Sequence, residues 1–168
     1  TTEPIDTNNS NKKTSAVDVS IVIPVYNEEG ILSASIADLT EKLESMEEWA
    51  FDYEIILTEN GSTDQTVPLA RELQQRHPEL RILHHPEPNY GYALRRGILE
   101  ARGDYVICDE IDLCDTDFYI RAMGLLEGGK KDMIIGSKTL RGSADKRPLY
   151  RQLATRVLNF LLHVFLGF

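Results

Sequence analysis

Carboxylates gather at three points along this chain: Glu28 and Glu29, then Glu59 and Asp64 with the amide Asn60 between them, then Asp109, Glu110, Asp112 and Asp115. Each group directly follows a short apolar run. Acids at neighbouring strand ends repel one another unless something positive sits among them. A hard divalent cation with oxygen ligands is the natural partner, and Mg²⁺ typically takes one or two carboxylates together with substrate phosphates. Glu110-Ile111-Asp112 is the best pair. Residues i and i+2 at a strand end face one side, so both carboxylates can reach one ion or its water shell. Any one pair can also be read as an ordinary acidic loop tip.

The elements that must position these acids alternate strand and helix. Val19, Ile21, Val22, Ile23 and Val25 form a β-branched run, with Pro24 marking a buried strand that meets a loop. Ile31, Leu32, Ile36, Leu39, Leu43 and Met46 recur at helical spacing and give one apolar face. Tyr53–Leu57 reads as a second strand, and Gly61-Ser62-Thr63-Asp64 as a turn and helix start. A helix over Thr66–Gln75, a strand over Leu80–Leu83 and a helix over Tyr92–Ala101 follow. After them come a strand over Tyr105–Cys108, a helix over Asp117–Leu126, a fifth strand over Met133–Ile135 and a long apolar helix from about Pro148 to Phe168. This order predicts an α/β domain with a mainly parallel sheet. Ligands of such sheets bind at the carboxyl ends of the strands, near a topological switch point. That rule selects the loops Pro24–Gly30, Thr58–Asp64 and Asp109–Asp115, the three that carry the acids.

Composition narrows the partners. The chain has 168 residues, enough for one domain and one hydrophobic core. Eighteen Lys and Arg against 27 Asp and Glu leave a net charge of −9, which argues against general nucleic-acid binding. Cys108 and Cys114 form neither a CxxC pair nor a Cys/His cluster, so no structural zinc site is expected. Residues 1–17 are polar, without periodicity or the apolar stretch of a secretory signal, and read as a disordered lead-in. No apolar run is long enough to span a bilayer, so a cytoplasmic location is expected.

The common phosphate cradles are missing: there is no GxxxxGK[ST] and no GxGxxG after the first strand. Four other segments, in order and in register, carry a family resemblance. They are Val19-Ser20-Ile21-Val22-Ile23-Pro24-Val25-Tyr26-Asn27-Glu28-Glu29, Thr58-Glu59-Asn60-Gly61-Ser62-Thr63-Asp64, Gly91-Tyr92-Ala93-Leu94-Arg95-Arg96-Gly97 with Ala101–Val106, and Ile135-Gly136-Ser137-Lys138. Together they resemble the family 2 glycosyltransferases of the GT-A fold, and within them the dolichol- or polyprenyl-phosphate sugar synthase branch. The resemblance implies a three-layer GT-A domain over residues 18–168. It implies a nucleotide-sugar donor, GDP-mannose or a UDP-sugar, and Mg²⁺ or Mn²⁺ as cofactor. By that resemblance Pro24, Tyr26 and Glu28 line the base and ribose, and Glu59 stands where the family's usual Asp contacts the base, with Asn60 beside it. Glu110 and Asp112 match the metal-holding Asp-x-Asp, Arg95 matches an Arg near the donor phosphates, and Lys138 falls where the family often has Arg near a phosphate. Asp112 and Lys138 are the catalytic expectations.

The departures are Glu for the first metal acid, Cys114 at a position that is often polar in this branch, and no Gln-x-x-Arg-Trp motif; Trp49 falls early and is expected to pack. A neutral thiol is a poor Mg²⁺ ligand. The chain thus resembles the donor-binding half of such an enzyme, with the acceptor-binding part absent. With a lipid phosphate as acceptor no general base is needed, because its oxygen is already ionised at pH 7. From Leu149 to Phe168 an apolar stripe follows Arg147, Arg151 and Arg156. It reads either as an interfacial helix, whose Arg151 and Arg156 meet the acceptor phosphate at the cytoplasmic membrane face, or as a core helix with a missing partner. A nucleotide-sugar-binding module without turnover and an inactive fragment of such an enzyme are the alternatives. A nucleotidyltransferase ranks lower, because the loop after the first strand has a single Gly. His84 and His85 adjoin on a strand end, so they point opposite ways, and Cys108 is expected to be a small core residue.

Overall fold

The computed structural model describes residues 17–129, 131–136 and 149–166. The strands are β1 (Val19–Val25), β2 (Tyr53–Asn60), β3 (Leu80–His85) and β4 (Tyr105–Cys108). The helices are α1 (Leu32–Ser45), α2 (Thr66–Arg76), α3 (Tyr90–Glu100), α4 (Thr116–Glu127) and α5 (Leu149–Leu166). The strands form one sheet in the order β3-β2-β1-β4, with every pairing parallel. The chain moves outward from β1 to β3 and then returns to add β4 on the other side of β1. The sheet therefore has its topological switch point between β1 and β4.

Strand alternation sorts the two faces. Val19, Ile21, Ile23 and Val25 join Ile55 and Leu57 in a core with Leu32, Ile36, Leu39 and Leu43 of α1, Ala70 and Leu73 of α2, and Tyr119 and Met123 of α4. On the other face α3 lies so close that a Cβ on Gly97 would meet Val22 Cγ1 at 2.3 Å and Thr58 Cγ2 at 2.7 Å. The expected three-layer α/β architecture is present, with the α1 stripe buried as its spacing implied. Trp49 packs, as expected, edge-on to Phe51 at 5.2 Å and beside Tyr119 at 6.3 Å.

Pro24 sits in a central strand because of the register. Asp109 N bonds Val22 O, so the even-numbered residues of β1 turn their backbone groups toward β4. The β4 ladder stops at Cys108, paired with Val22, so Pro24 withholds no ladder bond.

A buried polar knot aligns β4. Glu54 accepts from Ser20 Oγ at 2.7 Å, Arg81 Nη1 at 2.6 Å and Arg102 N at 2.8 Å. Ser20 Oγ in turn accepts from Gly103 N at 2.9 Å. The turn from α3 into β4 is thereby tied to β1 and β2, which sets the pairing of Val19 with Tyr105.

Three expectations are corrected. Met133–Ile135 is not a strand; Met133 and Ile135 are 72% and 75% exposed, and this three-residue run finds no ladder beside the four-residue β4. Glu59 and Asn60 belong to β2 rather than to a loop, because pairing continues through Glu59–His84 and Asn60–His85. Cys108 is exposed, because α3 leaves its face of β4 uncovered and Val106 is exposed there too. Helix α5 carries exposed Leu153, Val157, Phe160 and Phe165, and no described helix is long and apolar enough to cross a membrane.

Candidate functional site

Parallel pairing brings the ends of β1, β2 and β4 to one edge of the sheet. Past β1, Asn27 takes a left-handed φ of 55°, which Asn tolerates better than most residues. The turn is fixed across the gap: Asn27 N donates to Ser62 Oγ at 3.0 Å and Thr63 N donates to Asn27 Oδ1 at 2.8 Å. Glu28 N donates to Thr66 Oγ1 at 2.8 Å. Glu29 and Asp64 supply acceptors for the start of α2. Gln65 N donates to Glu29 Oε2 at 2.8 Å, and Thr66 N donates to Asp64 Oδ1 at 2.9 Å. Carboxylates at a helix N-terminus satisfy open N–H groups and meet its positive dipole end.

At the end of β2 the two candidate base contacts are both occupied. Glu59 is fully buried at its side chain; Oε1 accepts from Ser62 N, and Oε2 is bonded to Nδ1 of the half-exposed His84. Asn60 Nδ2 donates to Val25 O at 3.0 Å, and its Oδ1 accepts from Asn89 N at 2.9 Å. Asn60 therefore ties β1, β2 and the start of α3 together. His85 turns the other way and stacks on Tyr92 with ring centroids 4.3 Å apart, the opposite orientations expected of adjacent strand residues.

Beyond β4 the chain enters a turn closed by Leu113 N to Glu110 O at 3.0 Å. Glu110 and Asp112 are thus turn residues, and the strand geometry expected for them does not apply. Both are exposed, whereas Ile111 between them is buried in the core. Asp109 is spent locally: Tyr119 OH donates to its Oδ2, and Glu110 N donates to its Oδ1 at 2.7 Å. Asp115 caps α4 through Phe118 N at 3.0 Å. Cys114 is buried with a positive φ of 41°, and burial, followed by the charge of Asp109, pushes its thiol up to about 12. Its thiol is neutral and turned inward.

Three acids remain open. Glu28, Glu110 and Asp112 have no side-chain hydrogen bond or ion pair among the described residues. Burial, then the charges of Asp112 and Asp64, hold the Glu28 carboxyl above its usual range. Glu28 follows β1 and Asp112 follows β4, the two strands that flank the switch point, and Glu28 feels Asp112 only through its charge. Beside them Tyr90, Cys108, Asp109, Glu110 and Leu113 line an open recess of about 320 Å³. Burial and the Glu110 charge raise the Tyr90 phenol. Tyr90 carries no motif in the sequence; its only signal there is an aromatic in the first turn of the helix that leads into β4. Of the other predicted residues, Pro24 is buried in β1, Tyr26 is exposed at its end, and Arg95 is exposed on α3. Lys138 lies outside the described residues, and Arg151 and Arg156 lie on α5, far along the chain from these loops.

Among the described residues no three His, Cys, Asp or Glu side chains are grouped to hold a metal ion. Two open carboxylates, Glu110 and Asp112, with room left for water and substrate oxygens, still fit the way Mg²⁺ is usually held.

A sequence profile for glycosyl transferase family 2 matches residues 20–165, and the chain belongs to that family. It is 29% identical over 154 residues to a dolichyl-phosphate beta-glucosyltransferase of Trichomonas vaginalis, covering 87% of this chain and 46% of that protein. It is 29% identical over 140 residues to a dolichol-phosphate mannosyltransferase of Pyrococcus furiosus, covering 82% of this chain and 38% of that protein. A solved mannosyltransferase of Pyrobaculum calidifontis in complex with GDP-Man and Mn²⁺ overlaps 61% of this chain and 31% of its own length, at 21% identity and a TM-score of 0.48. The chain spans less than half the length of these relatives.

Proposed function

We propose that the chain provides the donor-binding part of a metal-dependent inverting glycosyltransferase. It would take a sugar from a nucleotide-diphosphate donor, GDP-mannose or a UDP-sugar, for transfer to a polyprenyl phosphate. The observation that carries this reading is that Glu28, Glu110 and Asp112, acids without a side-chain partner among the described residues, follow β1 and β4, the strands that flank the switch point of a parallel sheet. Acids whose oxygens are not already engaged gain most from a cation and from the diphosphate it carries. Glu110 and Asp112 would hold Mg²⁺ or Mn²⁺, which when bound offsets charge growing on the diphosphate leaving group. Asn27, Asn60 and Asp109 hold the three loops in place, so the open carboxylates are set before the donor arrives. Tyr26 and Pro24 would line the nucleoside, and Arg95 and Lys138 would meet phosphates. The names of the dolichol- and dolichyl-phosphate relatives support a lipid phosphate as acceptor. Such an acceptor arrives ionised and asks the protein for orientation rather than for a base. Arg151 and Arg156 on α5 would meet it at the cytoplasmic membrane face.

Calorimetric titration of the chain with GDP and UDP, with and without Mn²⁺, tests this. Binding of one nucleotide that needs Mn²⁺, and that Glu110→Ala or Asp112→Ala removes, is the expected result. Binding that ignores both Mn²⁺ and these substitutions would overturn it.

A further inference from the structure

We propose that His84 reads the nucleobase, accepting a ring N–H of the donor's uracil or guanine at its Nε2; the inference rests on the nucleotide-sugar reading above. Glu59 cannot take that contact as it stands. Its side chain is fully buried, Ser62 N occupies one oxygen and His84 Nδ1 the other. In the tautomer that carries the ring proton on Nδ1, His84 donates to the Glu59 carboxylate, and Nε2 is a bare acceptor on the opposite side of the imidazole. The half-exposed ring leaves it accessible.

The ring is also oriented in advance. Glu59 and His84 are direct partners in the β2–β3 ladder. Arg96 Nη1 of α3 donates to His84 O at 2.8 Å. His85 is anchored on the other face by Tyr92. A group held from three sides gives up little freedom when a ligand arrives.

Position completes the argument. Phosphates held by the acids between β1 and β4 leave the nucleoside to extend along the strand ends. Among the described strands β4 is the edge, so the strand-lined course runs over β1 and β2 to β3. Two and a half strand spacings of about 4.8 Å make about 12 Å, the scale of an extended nucleoside diphosphate. Tyr26 stands exposed along this course and His84 at its far end. The Glu at position 59 is thereby explained. It orients the imidazole from a buried position, and the imidazole meets the base.

The test is calorimetric titration of the full chain in Mn²⁺ with UDP, N3-methyl-UDP, GDP, N1-methyl-GDP and inorganic pyrophosphate, on the wild type and on His84→Ala. Methylating the ring nitrogen of whichever nucleotide binds is expected to weaken wild-type binding about tenfold, the worth of one hydrogen bond in a sheltered site. His84→Ala should bind the parent nucleotide about tenfold more weakly, show no further loss on methylation, and bind pyrophosphate as the wild type does. Wild-type indifference to methylation overturns the proposal without reference to any variant. So does a variant that still discriminates against the methyl group, or one that loses pyrophosphate as much as nucleotide, which marks a structural role. If the wild type binds pyrophosphate but neither nucleotide, the nucleotide-sugar reading falls first and this inference with it.

Discussion

Glu54→Gln should weaken the fold by removing the charge that holds β4 in register. Glu54 is 4% exposed and sits among Ser20, Arg81 and the Arg102 amide. Glutamine keeps the volume, but its NH₂ must face either Arg81 or the Arg102 amide, which only donate. Losing one member of a buried ion pair costs about 3–5 kcal/mol when the partner is left fully buried. Arg81 is 21% exposed and recovers some hydration, so about 2–3 kcal/mol is expected. The pH dependence gives a second handle. Burial alone would raise the Glu54 pKa, but bonds from Arg81, Ser20 and Arg102 outweigh it and the native value lies below the usual range. The pair's contribution is therefore complete above the unfolded-state value of about 4.3, and it is lost as pH falls through the native value. Urea unfolding followed by the fluorescence of buried Trp49 measures this at pH 7 and in steps down to pH 3. The stability gap between wild type and variant should be widest at pH 7 and close with acid. A gap below about 0.5 kcal/mol at pH 7, the size of an ordinary surface substitution, refutes the argument. So does a gap that acid leaves unchanged.

Gly103→Ala should cost about 2 kcal/mol or more in the same unfolding assay, because its Cβ would lie 2.6 Å from Ser20 N and 2.7 Å from Val19 C, backbone that cannot move aside. Gly124→Ala, in α4 with nothing within 4 Å of its Cβ, should instead gain about 0.5–1 kcal/mol. Native alkylation at pH 7.5, read by mass spectrometry, should label exposed Cys108 slowly, since burial and then Asp109 raise its thiol. Cys114, buried and pushed up to about 12, should react only after unfolding.

The elements were legible wherever a period was long. The α1 stripe and the β1 run are each buried as their spacing says, and β4 falls on its expected residues. The failures sit where pairing decides. Tyr53–Leu57 shows its apolar core in sequence, but the polar continuation through Thr58, Glu59 and Asn60 is strand only because β1 and β3 lie on either side. Met133–Ile135 is the reverse, an apolar triplet with no ladder to join. Cys108 looked like core because strand periodicity says which residues share a face, but not whether a helix covers that face. Pairing also hid His84, since nothing local marks it as the cross-strand partner of Glu59.

The acids show the same limit in the chemistry. Sequence treats the loop carboxylates alike, whereas the structure separates them by what already fills their oxygens. Glu29, Asp64 and Asp115 serve helix starts, Asp109 serves Tyr119 and the next amide, and Glu59 serves Ser62 and His84. A carboxylate so engaged has part of its acceptor capacity committed to holding its loop in shape. Glu28, Glu110 and Asp112 carry no such commitment among the described residues. They also follow β1 and β4, the strands on either side of the point where the chain reversed its direction through the sheet. Occupied acids build the loops, and the unoccupied ones are left facing the ligand, so the same residue type serves as scaffold and as site within a few positions.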